Sequence, residues 1–149
     1  MPTPSPTKTD TDSLKKAHVP AHKQTLLIVD DEDNNIFALR SYLETKDMEV
    51  LVAKNGEEAI NLLHCGTKPD IILLDMMMPV MDGYETLKVL KENGKLSQIP
   101  VIAVTARAMK GDSEKCLEVG AWDYLSKPIN LNELMEKITQ LTNQDELRS

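Results

Sequence analysis

The chain has 149 residues, a formal net charge of −7, a sequence pI near 4.9 and 41% apolar residues. One Phe, one Trp and three Tyr leave an aliphatic core for a single domain of ordinary size. Its acidic balance repels phosphate backbones, which argues against direct binding of nucleic acid. No apolar run approaches the roughly 20 residues of a membrane helix, and no signal-peptide core stands at the N-terminus. Cys65 and Cys116 lack C-x-x-C spacing and read as packed thiols in a reducing compartment, so a cytoplasmic protein is expected.

Residues 1–23 hold four prolines and few large apolar side chains, so a flexible tail is expected there. They also hold four lysines against two aspartates, a local +2, so the rest of the chain carries −9. His18 and His22 flank Pro20 and read as a solvated pair rather than a metal site. From Thr25 a regular alternation begins. Strands are predicted at Thr25–Val29, Glu49–Ala53, Ile71–Leu74, Val101–Val104 and Trp122–Leu125. Helices are predicted at Asn35–Thr45, Gly56–Leu63, Gly83–Lys91, Lys110–Val119 and Leu131–Leu141, with residues 143–149 as a C-terminal tail. Continuous apolar runs such as IILL and VIAV suit strands covered on both faces. Short strands alternating with helices predict an α/β fold, a doubly wound five-stranded parallel sheet with five flanking helices.

In such sheets the ligand crevice lies beyond the carboxyl ends of the strands. The first strand ends in Asp30–Asp31, the third in Asp75 and the fourth in Thr105, and the fifth leads to Lys127. Singly, most of these have plain readings: Asp30–Asp33 as a solvated helix start, Thr105 as a β-former, Lys127 as a loop charge. Asp75 is evenly balanced, because it closes a buried strand. Together they make a crevice in which three carboxylates repel one another, and a divalent cation resolves that conflict. All-oxygen ligation suits Mg²⁺. A lysine and a hydroxyl beside the ion leave a pocket fit for a phosphoryl group.

LLIVDDE at 26–32, DIILLDMMMPVMDGYE at 70–85, PVIAVTARA at 100–108 and GAWDYLSKPI at 120–129 carry a resemblance. The sequence resembles the receiver domain of bacterial response regulators across about residues 24–142. MMMPVMDG, ARAMKGD and Asn35 are most similar to receivers of hybrid histidine kinases and single-domain relay regulators. The resemblance implies a flavodoxin-like sheet of order 2-1-3-4-5 and a phosphoryl group passed from phosphohistidine to Asp75. It implies Mg²⁺ on Asp31, Asp75 and the backbone carbonyl of Met77, with Asp30 acting through water. It further implies Lys127 and Thr105 on the phosphoryl oxygens, a cis Lys127–Pro128 bond, and room left by the small Ala106. Thr105 and Tyr124 would form the switch. Trp122 stands where smaller or acidic residues are common. Met76, Met78 and Met81 read as packing residues.

The expected function is two-component phosphorelay signalling by a monomer. Its partners would be a histidine kinase or histidine phosphotransfer protein and a downstream protein effector. The chain is not expected to be an enzyme beyond loading and losing its own phosphoryl group, nor to contain an output domain. One alternative is the C-terminal receiver of a hybrid histidine kinase. A second is a pseudo-receiver acting only as a binding module, which the intact acidic, Thr and Lys set opposes. A third is a phosphotransferase or phosphatase of the haloacid-dehalogenase kind. Those want a second Asp two residues after the first, where Met77 stands.

Overall fold

The computed structural model describes residues 24–78, 81–106 and 110–148. The expected N-terminal tail, with His18 and His22, lies outside them. Five strands, β1 (Thr25–Val29), β2 (Glu49–Ala53), β3 (Ile71–Asp75), β4 (Val101–Thr105) and β5 (Asp123–Ser126), form one parallel sheet in the order β2-β1-β3-β4-β5. Between and after them run α1 (Asp33–Thr45), α2 (Gly56–His64), α3 (Gly83–Glu92), α4 (Lys110–Val119) and α5 (Leu131–Arg148). A 3₁₀ turn at Leu96–Gln98 precedes β4. The doubly wound sheet and its order are as expected.

Alternation explains why continuous apolar strands are needed. Leu26, Ile28, Ile71, Leu73, Ile102 and Val104 face one side, where Leu39 and Leu43 of α1 and Leu134 and Ile138 of α5 cover them. Their neighbours Leu27, Val29, Ile72, Leu74, Val101 and Ala103 face the other, under Leu63 of α2, Leu87 and Leu90 of α3 and Cys116 of α4. Successive residues of a strand point to opposite faces, so a sheet with helices on both sides has no polar phase. Met76 and Met78 are buried in the second of these clusters, as packing residues. Trp122, for which the sequence offered no role, packs half-buried against the α1/α5 side, and its amide donates to the Val101 carbonyl at 2.7 Å. Of the two thiols, only Cys116 is packed; Cys65 is exposed.

Two helices differ from the prediction by more than one residue. α1 starts at Asp33 rather than Asn35, because an acidic residue suits the first turn of a helix. α5 runs past Leu141 to Arg148, through most of the stretch expected to be a tail, where neither Gly nor Pro interrupts it.

The start of α3 fixes the segment that follows β3. Asp82 caps the helix, accepting from the Glu85 amide at 2.9 Å, and Glu85 completes a capping box. The Gly83 amide donates to the Met76 carbonyl at 3.3 Å. A Cβ on Gly83 would stand 2.4 Å from the Met76 Cα and 2.8 Å from the Asp75 carbonyl oxygen. Only a glycine lets α3 approach the end of β3 so closely. Gly83→Ala should therefore cost about 1–3 kcal/mol in urea unfolding. Gly94→Ala, with nothing within 4 Å of the added methyl, should stay within about 0.5 kcal/mol.

Candidate functional site

All five strands run the same way, so their carboxyl ends share one rim. β1 delivers Asp30 and Asp31, β3 delivers Asp75, β4 delivers Thr105, and β5 leads to Lys127. The backbone ties these ends together. The Asp30 amide donates to the Ala53 carbonyl at 3.1 Å, the Met76 amide to Val104 at 2.9 Å and the Lys127 amide to Thr105 at 2.8 Å. The Lys127–Pro128 peptide bond is cis.

The side chains converge. One carboxylate oxygen each from Asp30, Asp31 and Asp75 lies within 4.8 Å of the other two. Asp30 and Asp75 are buried, 3% and 2% exposed, while Asp31 is open to solvent. Lys127 Nζ donates to Asp75 Oδ2 at 3.1 Å and lies 3.7 Å from Glu32 Oε1. The Met77 amide donates to Asp75 Oδ1 at 2.9 Å, so each oxygen of Asp75 meets a donor. Asp30 Oδ1 accepts from the Glu32 amide at 2.9 Å. The plain reading of Asp30 as a solvated cap is thus wrong; it is a buried member of the cluster. Thr105 is buried at the same rim, one residue beyond Val104, the β-partner of Asp75. The Met77 side chain, 64% exposed, points away from the packed interior.

Tyr124 sits lower. It pairs with Ala103 in mid-strand and packs half-buried on the α2/α3/α4 face. Two rim residues that the sequence reading passed over are Glu32, the second partner of Lys127, and Lys54, which follows β2 and pairs with Asp33. Lys54 stands at the carboxyl end of β2, so the same strand-end rule points to it.

Burial pushes the Asp75 carboxyl above its ordinary range, and the Met77 amide and Lys127 only partly offset this. Burial would lower the Lys127 ammonium, but its bond to Asp75 and the fields of Asp75, Asp30 and Glu32 outweigh it, leaving a raised pKa. One lysine on three crowded carboxylates leaves negative charge uncompensated. Hard oxygen donors in this arrangement fit a divalent cation of the Mg²⁺ class.

A group whose pKa is raised by folding destabilises the fold as pH climbs through that interval. In metal-free protein, stability should therefore fall as pH rises from the ordinary aspartate value, about 3.9, toward the raised one. Lys127 stays charged throughout this window and adds no slope. Asp75→Asn cannot ionise. In EDTA it should melt above wild type at pH 7, and the gap should close below about pH 4. Thermal melts across pH check this.

Comparison with known proteins agrees with the geometry. The family model for the response regulator receiver domain matches residues 26–139. The polar-differentiation response regulator DivK of Brucella anthropi is 40% identical over 115 residues, 77% of this chain and 93% of that protein. The receiver domain of the Saccharomyces cerevisiae response regulator Ssk1, solved with the histidine phosphotransfer protein Ypd1, superposes with a TM-score of 0.75 at 33% identity. That superposition covers 80% of this chain and 88% of the other. The receiver domain of a Pseudomonas aeruginosa sensor histidine kinase, solved with a magnesium ion in its active-site cleft, gives a TM-score of 0.73 at 31% identity. It covers 80% of this chain and 98% of the other. These likenesses set aside the dehalogenase-type reading. The chain belongs to the response regulator receiver domain family of two-component signalling.

Proposed function

We propose that Asp75 accepts a phosphoryl group from a phosphohistidine donor and that the loaded domain signals by changing its protein contacts. The observation that carries this reading is the convergence of Asp30, Asp31 and Asp75 with Lys127 on one rim. A carboxylate oxygen of Asp75 attacks phosphorus, an acyl phosphate bond forms, and the P–N bond to the donor imidazole breaks. Lys127, already 3.1 Å from Asp75, moves onto a phosphoryl oxygen, and the Thr105 hydroxyl donates to another. Asp31, Asp75 and the Met77 carbonyl, with Asp30 acting through water, would hold Mg²⁺, which would supply the charge that offsets the carboxylates and the incoming phosphate. Phosphoryl chemistry is confined to loading and losing this one group.

The site also favours a protein as donor. A hollow of about 440 Å³ beside it is lined by Asn35, Ala38, Pro128, Ile129 and Leu131 and shares Lys127 with the carboxylate cluster. An apolar surface continuous with the reacting groups suits a histidine-bearing phosphotransfer protein, of the kind with which the yeast receiver was solved. The effector is a protein rather than nucleic acid, since the body is acidic. We place the domain in the cytoplasm as a monomer; no helix among the described residues is long and apolar enough to cross a membrane.

Acetyl phosphate with Mg²⁺ should add one phosphoryl group, alkali-labile and located on Asp75, as read by intact mass and peptide mapping. EDTA should abolish it. Equal labelling of Asp75→Ala would overturn the assignment. The switch is tested separately. Thr105→Ala keeps the nucleophile and metal ligands and should still load, yet lose the contact that biases two conformations. In a beryllofluoride complex, which stands in for the phosphoryl group, its amide shifts should no longer spread through Tyr124 to Lys110–Val119. Shifts that spread as in wild type would remove Thr105 from that role.

A further inference from the structure

We propose that Lys54 is a positioning residue: it holds the acidic turn between β1 and α1 against the end of β2 and, by its charge, limits how tightly that turn takes a divalent cation. The inference rests on the reading of Asp30, Asp31 and Asp75 as a Mg²⁺ site.

The turn carries four consecutive carboxylates, Asp30, Asp31, Glu32 and Asp33, and Asp75 adds a fifth from β3. Two lysines approach it from opposite sides. Lys127, arriving from β5, meets Asp75 and Glu32. Lys54, arriving from β2, pairs with Asp33 in the first turn of α1. Its ammonium pKa is raised, chiefly by that bond, with Glu58 and Asp31 adding to it. The two cations thus take different carboxylates: Lys127 meets Asp75 and Glu32, and Lys54 meets Asp33, two residues beyond Asp31.

The backbone of Lys54 is fixed where this division requires it. Its amide donates to Glu58 Oε1 at 2.9 Å, Asn55 caps α2 at 2.9 Å, and the preceding Ala53 carbonyl receives the Asp30 amide. Lys54 therefore rides on the same hydrogen bond that registers β2 with the start of the acidic turn. The consequence has two opposite signs. Without metal, Lys54 offsets repulsion and steadies the turn. When a divalent cation sits on Asp31, the same ammonium repels it. A neutral residue should thus weaken the metal-free fold and tighten the metal complex, a combination that loss of packing alone does not produce.

The test compares full-length wild type, Lys54→Met and Lys54→Arg, by thermal melts in EDTA and calorimetric titration with MgCl₂ at low ionic strength. Lys54→Met should melt below wild type in EDTA yet bind Mg²⁺ about two- to threefold more tightly, the scale of an exposed charge interaction. Both differences should shrink in about 0.5 M salt. Lys54→Arg should match wild type in both. Unchanged or weaker Mg²⁺ binding by Lys54→Met overturns the proposal, as does a Lys54→Arg that behaves like Met. Unchanged melting in EDTA overturns the positioning half. Failure of wild type itself to bind Mg²⁺ overturns the parent reading of the site along with it.

Discussion

Asp30, Asp31 and Asp75 hold carboxylate oxygens within 4.8 Å of one another, two of the three side chains being buried, and the other features of the rim respond to that crowding. Like charges this close raise the cost of ionisation, and burial adds to it at Asp75. Lys127 and the Met77 amide each take an oxygen of Asp75, and Lys54 takes Asp33 on the far side of the turn. Two ammonium groups and a few amides do not neutralise five carboxylates. The residual charge is a standing cost in the metal-free fold, and under the proposed reading a cation would offset it and in turn draw an anion.

The sheet makes the crowding possible. Strands buried on both faces spend their side chains on packing, so polar residues are tolerated only at the ends. Parallel strands bring five such ends to one edge. β1 and β3 are neighbours in the order β2-β1-β3-β4-β5, which sets the aspartates of one beside the aspartate of the other. Backbone bonds from Asp30 to Ala53, Met76 to Val104 and Lys127 to Thr105 then lock each end to the next. Gly83 lets α3 close against the segment after Asp75. A site on a rigid edge of this kind resists the relaxation that would otherwise move its carboxylates apart.

Much of this was legible in the sequence. IILLD, VIAVT and TLLIV announce buried strands because no polar residue interrupts either phase, and the rim follows from the rule for open parallel sheets. The membership of Asp30 in the cluster was harder to see, since acidic residues before a helix are common for reasons of capping and dipole alone. Its burial, with its amide bonded to the Ala53 carbonyl of the neighbouring strand, is a tertiary fact. Lys54 was overlooked for a different reason: a lysine after an edge strand reads as solvated, and only the structure shows which carboxylate it faces. The length of α5 is not legible in the sequence because its regular apolar spacing ends at Leu141. Trp122 acquired a role only once β5 and α5 were in place around it.

A crystal structure of the protein grown with Mg²⁺ and beryllofluoride tests the central claim most directly. The account predicts one metal ion bridging Asp31 and Asp75 at about 2.1 Å from their oxygens, with beryllium on Asp75 and Lys127 on a fluorine. A metal bound elsewhere, or a beryllium adduct on any residue other than Asp75, would contradict it.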